Sequence, residues 1–278
     1  MQLKKYNHPV LFYGVVIAIS WSFWFAWAWL SHSKWYENPS VVFGGLMLGL
    51  LGLCTPFIVA MVLILPDREK QRELVSQITN FKGIRPAFWR LGFLLFPLSI
   101  LLAQAISLLF GGSPSQFKLT ENMSLAGIFP AWVLLIAGPV MEEFGWHTYG
   151  THCLRNRLNL FTTSILFAII WGMWHIPLSR VQGHFQNEIA ETGVIYEINY
   201  FVSIMPYMLI CNWMYYKTNR NIFLVILFHF GAGFFAEIFQ THPASKIIQT
   251  ILLSIISIII ICKEKDFFFG KSHEEIFE

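Results

Sequence analysis

Charge is what this sequence has least of. Only 13% of its 278 residues are Asp, Glu, Lys or Arg, about half the ~25% of an average soluble domain. So few charges cannot furnish a water-facing surface, which excludes a soluble globular domain. Cysteine is scarce as well: Cys54, Cys153, Cys211 and Cys262 stand far apart, with no Cys-x-x-Cys pair. A zinc knuckle and a thioredoxin-like motif are thereby excluded, and each cysteine reads as a small packed hydrophobe. No glycine-rich phosphate loop and no internal repeat occur. Polar connectors are short, leaving too little chain for a separate soluble domain.

What is present is apolar. Hydrophobic residues make up 55% of the chain, with 27 Phe and 11 Trp, and the mean hydropathy is +0.55. At about 20 residues per span, eight apolar segments emerge, near 9–31, 41–65, 88–110, 127–151, 160–178, 199–216, 221–241 and 245–262. Long uninterrupted runs in lipid must satisfy their own backbone groups, so they are helices. The expected fold is all-α, a polytopic membrane bundle of about eight transmembrane helices. The apolar run after Lys4 and Lys5 continues to about Leu30 without a small-x-small cleavage site and reads as a retained first span. With strict alternation, 15 of the Lys and Arg residues fall on the side of the termini and four on the other. The positive-inside rule then places both termini in the cytoplasm of a multi-pass cell-membrane protein.

The connector 66–87 is the longest polar segment. Leu74, Val75, Ile78 and Phe81 recur in it at helical spacing, which fits an interfacial amphipathic helix and equally a solvated connector. The loop 179–198, with Glu188, Glu191 and Glu197, reads as a solvated cap, and the tail 263–278 as a frayed end.

A charge at mid-membrane costs at least ~2.5–3.5 kcal/mol, so the ionisable residues inside the apolar segments carry the information. They are Glu142 and Glu143 in the fourth segment, His175 in the fifth and His229 in the seventh. The fourth segment has no Lys or Arg to pair with its two carboxylates. Glu237, two turns beyond His229, and His152, at a helix end, read as interfacial. His8, His32, His184, His242 and His273 lie in loops or ends and carry no signal. Buried carboxylates and imidazoles suit water activation, with a Glu as general base, one His sharing the attacking water and another facing a developing oxyanion. Two His and one Glu also match a catalytic zinc site with an open position. The His-Glu-x-x-His motif is absent, and the metal-free, cofactor-free reading is favoured. A proton-relay transporter is a further class, but no repeat of discontinuous helices supports it.

These residues resemble the CAAX protease and bacteriocin-processing family of membrane proteins over roughly 127–240. Glu142-Glu143-Phe144-Gly145-Trp146-His147 resembles its E-E-x-x-x-R motif, with His147 in place of Arg. Trp171 to His175 resembles its aromatic-x-x-x-His motif, and His229 its His-x-x-x-Asn, with Gly233 in place of Asn. The resemblance implies a bundle of about eight helices around a cavity that admits peptide and water. It divides the chain into N-terminal spans with their connector (1–126), a catalytic core (127–241), and a last span with its tail (242–278). It implies an intramembrane endopeptidase acting on a peptide or lipid-modified peptide near the cytoplasmic face. Glu142 and His175 would activate water, His229 would bind the oxyanion, and Glu143 would pair with the residue at the Arg position. His147 stands four residues after Glu143, on the same helical face. A non-proteolytic relative serving bacteriocin self-immunity or scaffolding is the alternative. Losing one oxyanion donor costs ~10²–10³ in rate, so both departures bear on activity.

Overall fold

The computed structural model describes residues 5–120 and 129–270; Lys4, His273 and the end of the tail lie outside them. It is a helical bundle. The helices are α1 (Pro9–Ser31), α2 (Pro39–Ile64), α3 (Arg68–Thr79), α4 (Pro86–Leu108), α5 (Phe129–Gly145), α6 (Thr151–Arg155), α7 (Leu160–Trp174), α8 (Phe185–Thr192), α9 (Val194–Lys217), α10 (Ile222–Glu237), α11 (Pro243–Lys263) and α12 (Lys265–Phe269). A π-turn, Trp146–Gly150, joins α5 to α6, and a 3₁₀ turn, Ile176–Arg180, continues α7.

Among the described residues, six helices are long and apolar enough to cross a membrane, and α10 is a shorter apolar one. With the α5–π–α6 stretch they account for the eight apolar segments of the sequence. Local chemistry sets several starts. Asn38, Asn159 and Asn221 each accept a backbone N–H from the first turn of the helix they precede, and proline occupies the first position of α1, α2, α4 and α11, where no intrahelical N–H is needed. Large apolar side chains such as Val10, Trp29, Val62, Leu98 and Ile258 point outward, a surface that lipid tolerates and water does not.

Each end of the bundle is tied by its own polar contacts. At the end where α1 begins, Glu73 of α3 bonds Lys5 at 3.0 Å and pairs with Arg220, and Lys217 meets Glu264 at 2.9 Å. At the other end His32 contacts the Arg180 carbonyl at 3.0 Å. There Ser245 also donates to Gln116 at 2.6 Å, and Gln240 N–H donates to the Lys118 carbonyl at 3.0 Å.

Several local expectations are corrected. The 68–79 stretch is a helix rather than a solvated connector: Leu74 and Ile78 pack against the core, Glu73 and Gln77 are buried beside them, and Val75 and Phe81 are exposed. His152 is fully buried rather than interfacial, contacting Gln77 at 2.9 Å and Tyr216 at 3.0 Å. The 179–198 loop contains α8, whose Asn187 is buried and donates to the Ser179 carbonyl at 3.0 Å. The start of the tail is not frayed, since α12 buries Phe268 and rests Phe269 against Phe161, ring centroids 5.1 Å apart.

Candidate active site

The helix carrying both glutamates is set by a close approach. Gly145 lies so near α2 that a Cβ there would stand 2.4 Å from the Pro56 carbonyl carbon. Only glycine lets the two backbones meet. Immediately afterwards the helix widens into the π-turn, a local irregularity that recurs at functional sites. It carries His147, which is fully buried and hydrogen-bonded to Glu143, as the four-residue spacing suggested.

A cavity of about 290 Å³ receives Glu142, His175 and His229 from three different helical segments, along with Trp171 of α7. Trp171 organises it. Its indole N–H donates to Glu142 Oε2 at 2.9 Å, and its carbonyl accepts from His175 Nδ1 at 2.7 Å. A carbonyl can only accept, so His175 Nδ1 carries a hydrogen, and in the neutral ring that leaves the lone pair on Nε2. The Trp171 ring lies edge-on to His175 and His229, centroids 4.7 and 5.4 Å away, and stacks on Tyr207 at 5.5 Å.

The two glutamates are separated by this geometry. Glu142 lines the cavity, whereas Glu143, 1% exposed, stands behind it. Glu143 Oε2 meets His147, and Oε1 accepts from His229 Nδ1 at 2.6 Å. With both Nδ1 atoms engaged, His175 and His229 retain Nε2 for cavity chemistry. Among the described residues no group of three or more His, Cys, Asp or Glu is arranged to hold a metal ion.

Gly233 also lines the cavity, and a Cβ there would meet nothing within 4 Å. Space is therefore present where the family pattern has an asparagine. The far wall comes from α8, the start of α9, the end of α10 and the start of α11, with Phe185, Tyr196, Glu237 and Lys246 among its residues. Glu237 is thus a cavity residue at the end of α10, not merely an interfacial one. The cavity extends toward the end of the bundle opposite to Lys5, α3 and Arg220. With the termini in the cytoplasm, as expected from the sequence, this end of the cavity would lie on the other side of the membrane. The hub role of Trp171 escaped the sequence, in which it figures only as the aromatic that opens a motif. Nor does anything in the sequence point to Asn212, which contacts His147, or to Ser164, which accepts from Asn212.

Comparison with known proteins agrees with this arrangement. The family model for type II CAAX prenyl endopeptidases, Rce1-like, matches residues 124–235, the stretch that holds Glu142, Glu143, His175 and His229. CAAX prenyl protease 2 of Methanococcus maripaludis is 36% identical over 270 residues, 96% of this chain and 97% of that protein. A likeness that runs through nearly the whole of both chains means that this one belongs to the Rce1-like CAAX endopeptidase family of multi-pass intramembrane proteases.

Proposed function

We propose that the chain hydrolyses a peptide bond in a prenyl-modified peptide, the class to which the relative's name, CAAX prenyl protease 2, points, with Glu142 as general base. The observation that carries this reading is the double use of Trp171, which fixes one carboxylate oxygen of Glu142 and the tautomer of His175 beside one cavity. In this scheme Glu142 Oε1 and His175 Nε2, both on the cavity wall, hold the attacking water. Glu142 takes one proton as the water oxygen bonds to the peptide carbonyl carbon. It delivers that proton to the leaving nitrogen as the C–N bond breaks. His229, held through Nδ1–H by Glu143, must carry a second proton on Nε2 in this scheme, and from there it donates to the carbonyl oxygen as charge develops. Glu143 is a positioning group in this scheme.

The test is cleavage of a farnesylated C-terminal peptide by purified protein. Glu142→Gln and His175→Ala should each abolish turnover while the protein remains folded, and full activity in either variant overturns the assignment.

We also infer that the basic end of the bundle faces the cytoplasm, so that the cavity opens on the opposite side. Reporter fusions after residues 80 and 115 read this directly, the first expected inside and the second outside. The reverse pattern would turn the cavity toward the cytoplasm.

A further inference from the structure

Behind the cavity a chain of buried polar groups runs from α7 to the glutamate pair. Ser164, Asn212, His147 and Glu143 are all 0–1% exposed. Ser164 Oγ donates to the Leu160 carbonyl at 2.8 Å. Its one proton is thereby used, so toward Asn212 it can only accept, and Asn212 Nδ2 donates to it at 3.0 Å. That fixes the amide orientation, leaving Oδ1 toward His147 Nε2 at 3.0 Å. An amide oxygen can only accept, so His147 Nε2 carries a hydrogen. The other ring nitrogen, Nδ1, faces the Glu143 carboxylate. Two lone pairs facing each other in a dry site would repel, so a proton lies between them.

We infer that Asn212 and Ser164 are positioning residues that hold His147 in the doubly donating form, making it the cation that an arginine supplies elsewhere in the family. Arginine donates in every protonation state it reaches in a protein, and needs no such help. Histidine does need it, because a neutral ring could present a lone pair to one of its partners. The amide acceptor on α9 removes that choice. Glu143 is left able to offer Oε1 to His229, whose Nδ1 it meets at 2.6 Å. The titratable groups around the His147 ring are Glu143 on its own helix, then Cys211, whose sulfur is 3.8 Å from Nε2, and Tyr215, ring centroid 4.9 Å away, both on α9. His229 of α10 lies one bond further on, and α7 contributes Phe167 at 5.8 Å.

This inference rests on the catalytic reading above, and the experiment separates the two. Cleavage of the farnesylated peptide is measured from pH 6 to 9 for the wild type, Asn212→Leu, Asn212→Asp and Ser164→Ala. Asn212→Leu, which removes the acceptor at similar volume, should lower kcat about 10- to 100-fold with little change in KM. Asp retains an oxygen toward Nε2, so Asn212→Asp should stay within about threefold of wild type and hold its activity to higher pH than wild type does. Ser164→Ala frees the amide to turn and should fall between them. Selective ¹⁵N-histidine labelling gives a readout independent of turnover: both ring nitrogens of His147 should report protonation in the wild type and only one in Asn212→Leu. Equal pH profiles for Leu, Asp and wild type, or a His147 ring with one bare nitrogen in the wild type, overturn the inference. Full activity in Glu142→Gln instead overturns the catalytic reading and leaves the nitrogen signals of His147 to decide this one.

Discussion

Gly145 offers a direct way to displace the glutamates without touching them. In Gly145→Ala the added Cβ would stand 2.4 Å from the Pro56 carbonyl carbon, 2.5 Å from its Cβ and 2.6 Å from its oxygen. Ordinary contact begins near 3.4 Å, so α5 must retreat from α2 by about 1 Å, and all three Pro56 atoms belong to the backbone or the ring and cannot swing aside. Overpacking of this kind costs about 1–3 kcal/mol. Glu142 and Glu143 lie within one turn of Gly145 and move with it. A misplacement of about 1 Å costs on the order of 10²-fold in rate, or about 2.7 kcal/mol of barrier. The matched control is Gly138→Ala on the same helix, where a Cβ meets nothing within 4 Å and alanine's better helix propensity adds a little stability. Thermal unfolding in detergent and kcat for the farnesylated peptide are measured for both. Gly145→Ala should lose a few degrees of Tm and about two orders of magnitude in kcat, and Gly138→Ala neither. Wild-type turnover in Gly145→Ala would refute the claim that this contact sets the catalytic helix.

Gly233→Asn places an amide in open space on the cavity wall, so kcat should rise or stay nearly unchanged. An inactive wild type revived only by His147→Arg with Gly233→Asn would instead identify a scaffold protein. His184 caps α8 at 3.3 Å and packs on Trp27, and burial pulls its pKa down from 6.5 to about 4. The unfolded ring takes up a proton below about 6.5 and the folded one only near 4. Anchorage of α8 is therefore complete above that range and weakens as pH falls from 6.5 toward 4. Limited proteolysis within 181–193 should rise at pH 5 in wild type and not in His184→Asn; equal cleavage at pH 5 and 7.5 in the wild type would sink this account. Activity should also survive exhaustive chelation, and stoichiometric zinc lost together with activity would give Glu142, His175 and His229 a ligand role instead.

The sequence by itself carried the architecture, because lipid imposes a rule that is local. A segment of some 20 apolar residues must satisfy its own backbone, so the spans could be read one at a time. It also carried the choice of Glu142, Glu143, His175 and His229, since ionisable residues in apolar runs are costly enough to stand out. The i,i+4 link between Glu143 and His147 was legible for the same reason, both residues lying on one helix. Everything that depends on which helix faces which was not legible. Gly145 looks like any glycine until Pro56 of α2 is set against it, and His152 resembles an interfacial residue until α3 covers it. Ser164 and Asn212 are unremarkable polar residues 48 positions apart, and only packing of α7 and α9 against the π-turn makes Asn212 a partner of His147 and Ser164 a partner of Asn212. Trp171 binds Glu142 and His175 at once because folding brings its indole to one and helical geometry its carbonyl to the other. Spacing along one helix is written in the chain, whereas contact between helices is decided by packing, and the two glutamates owe their different surroundings to it.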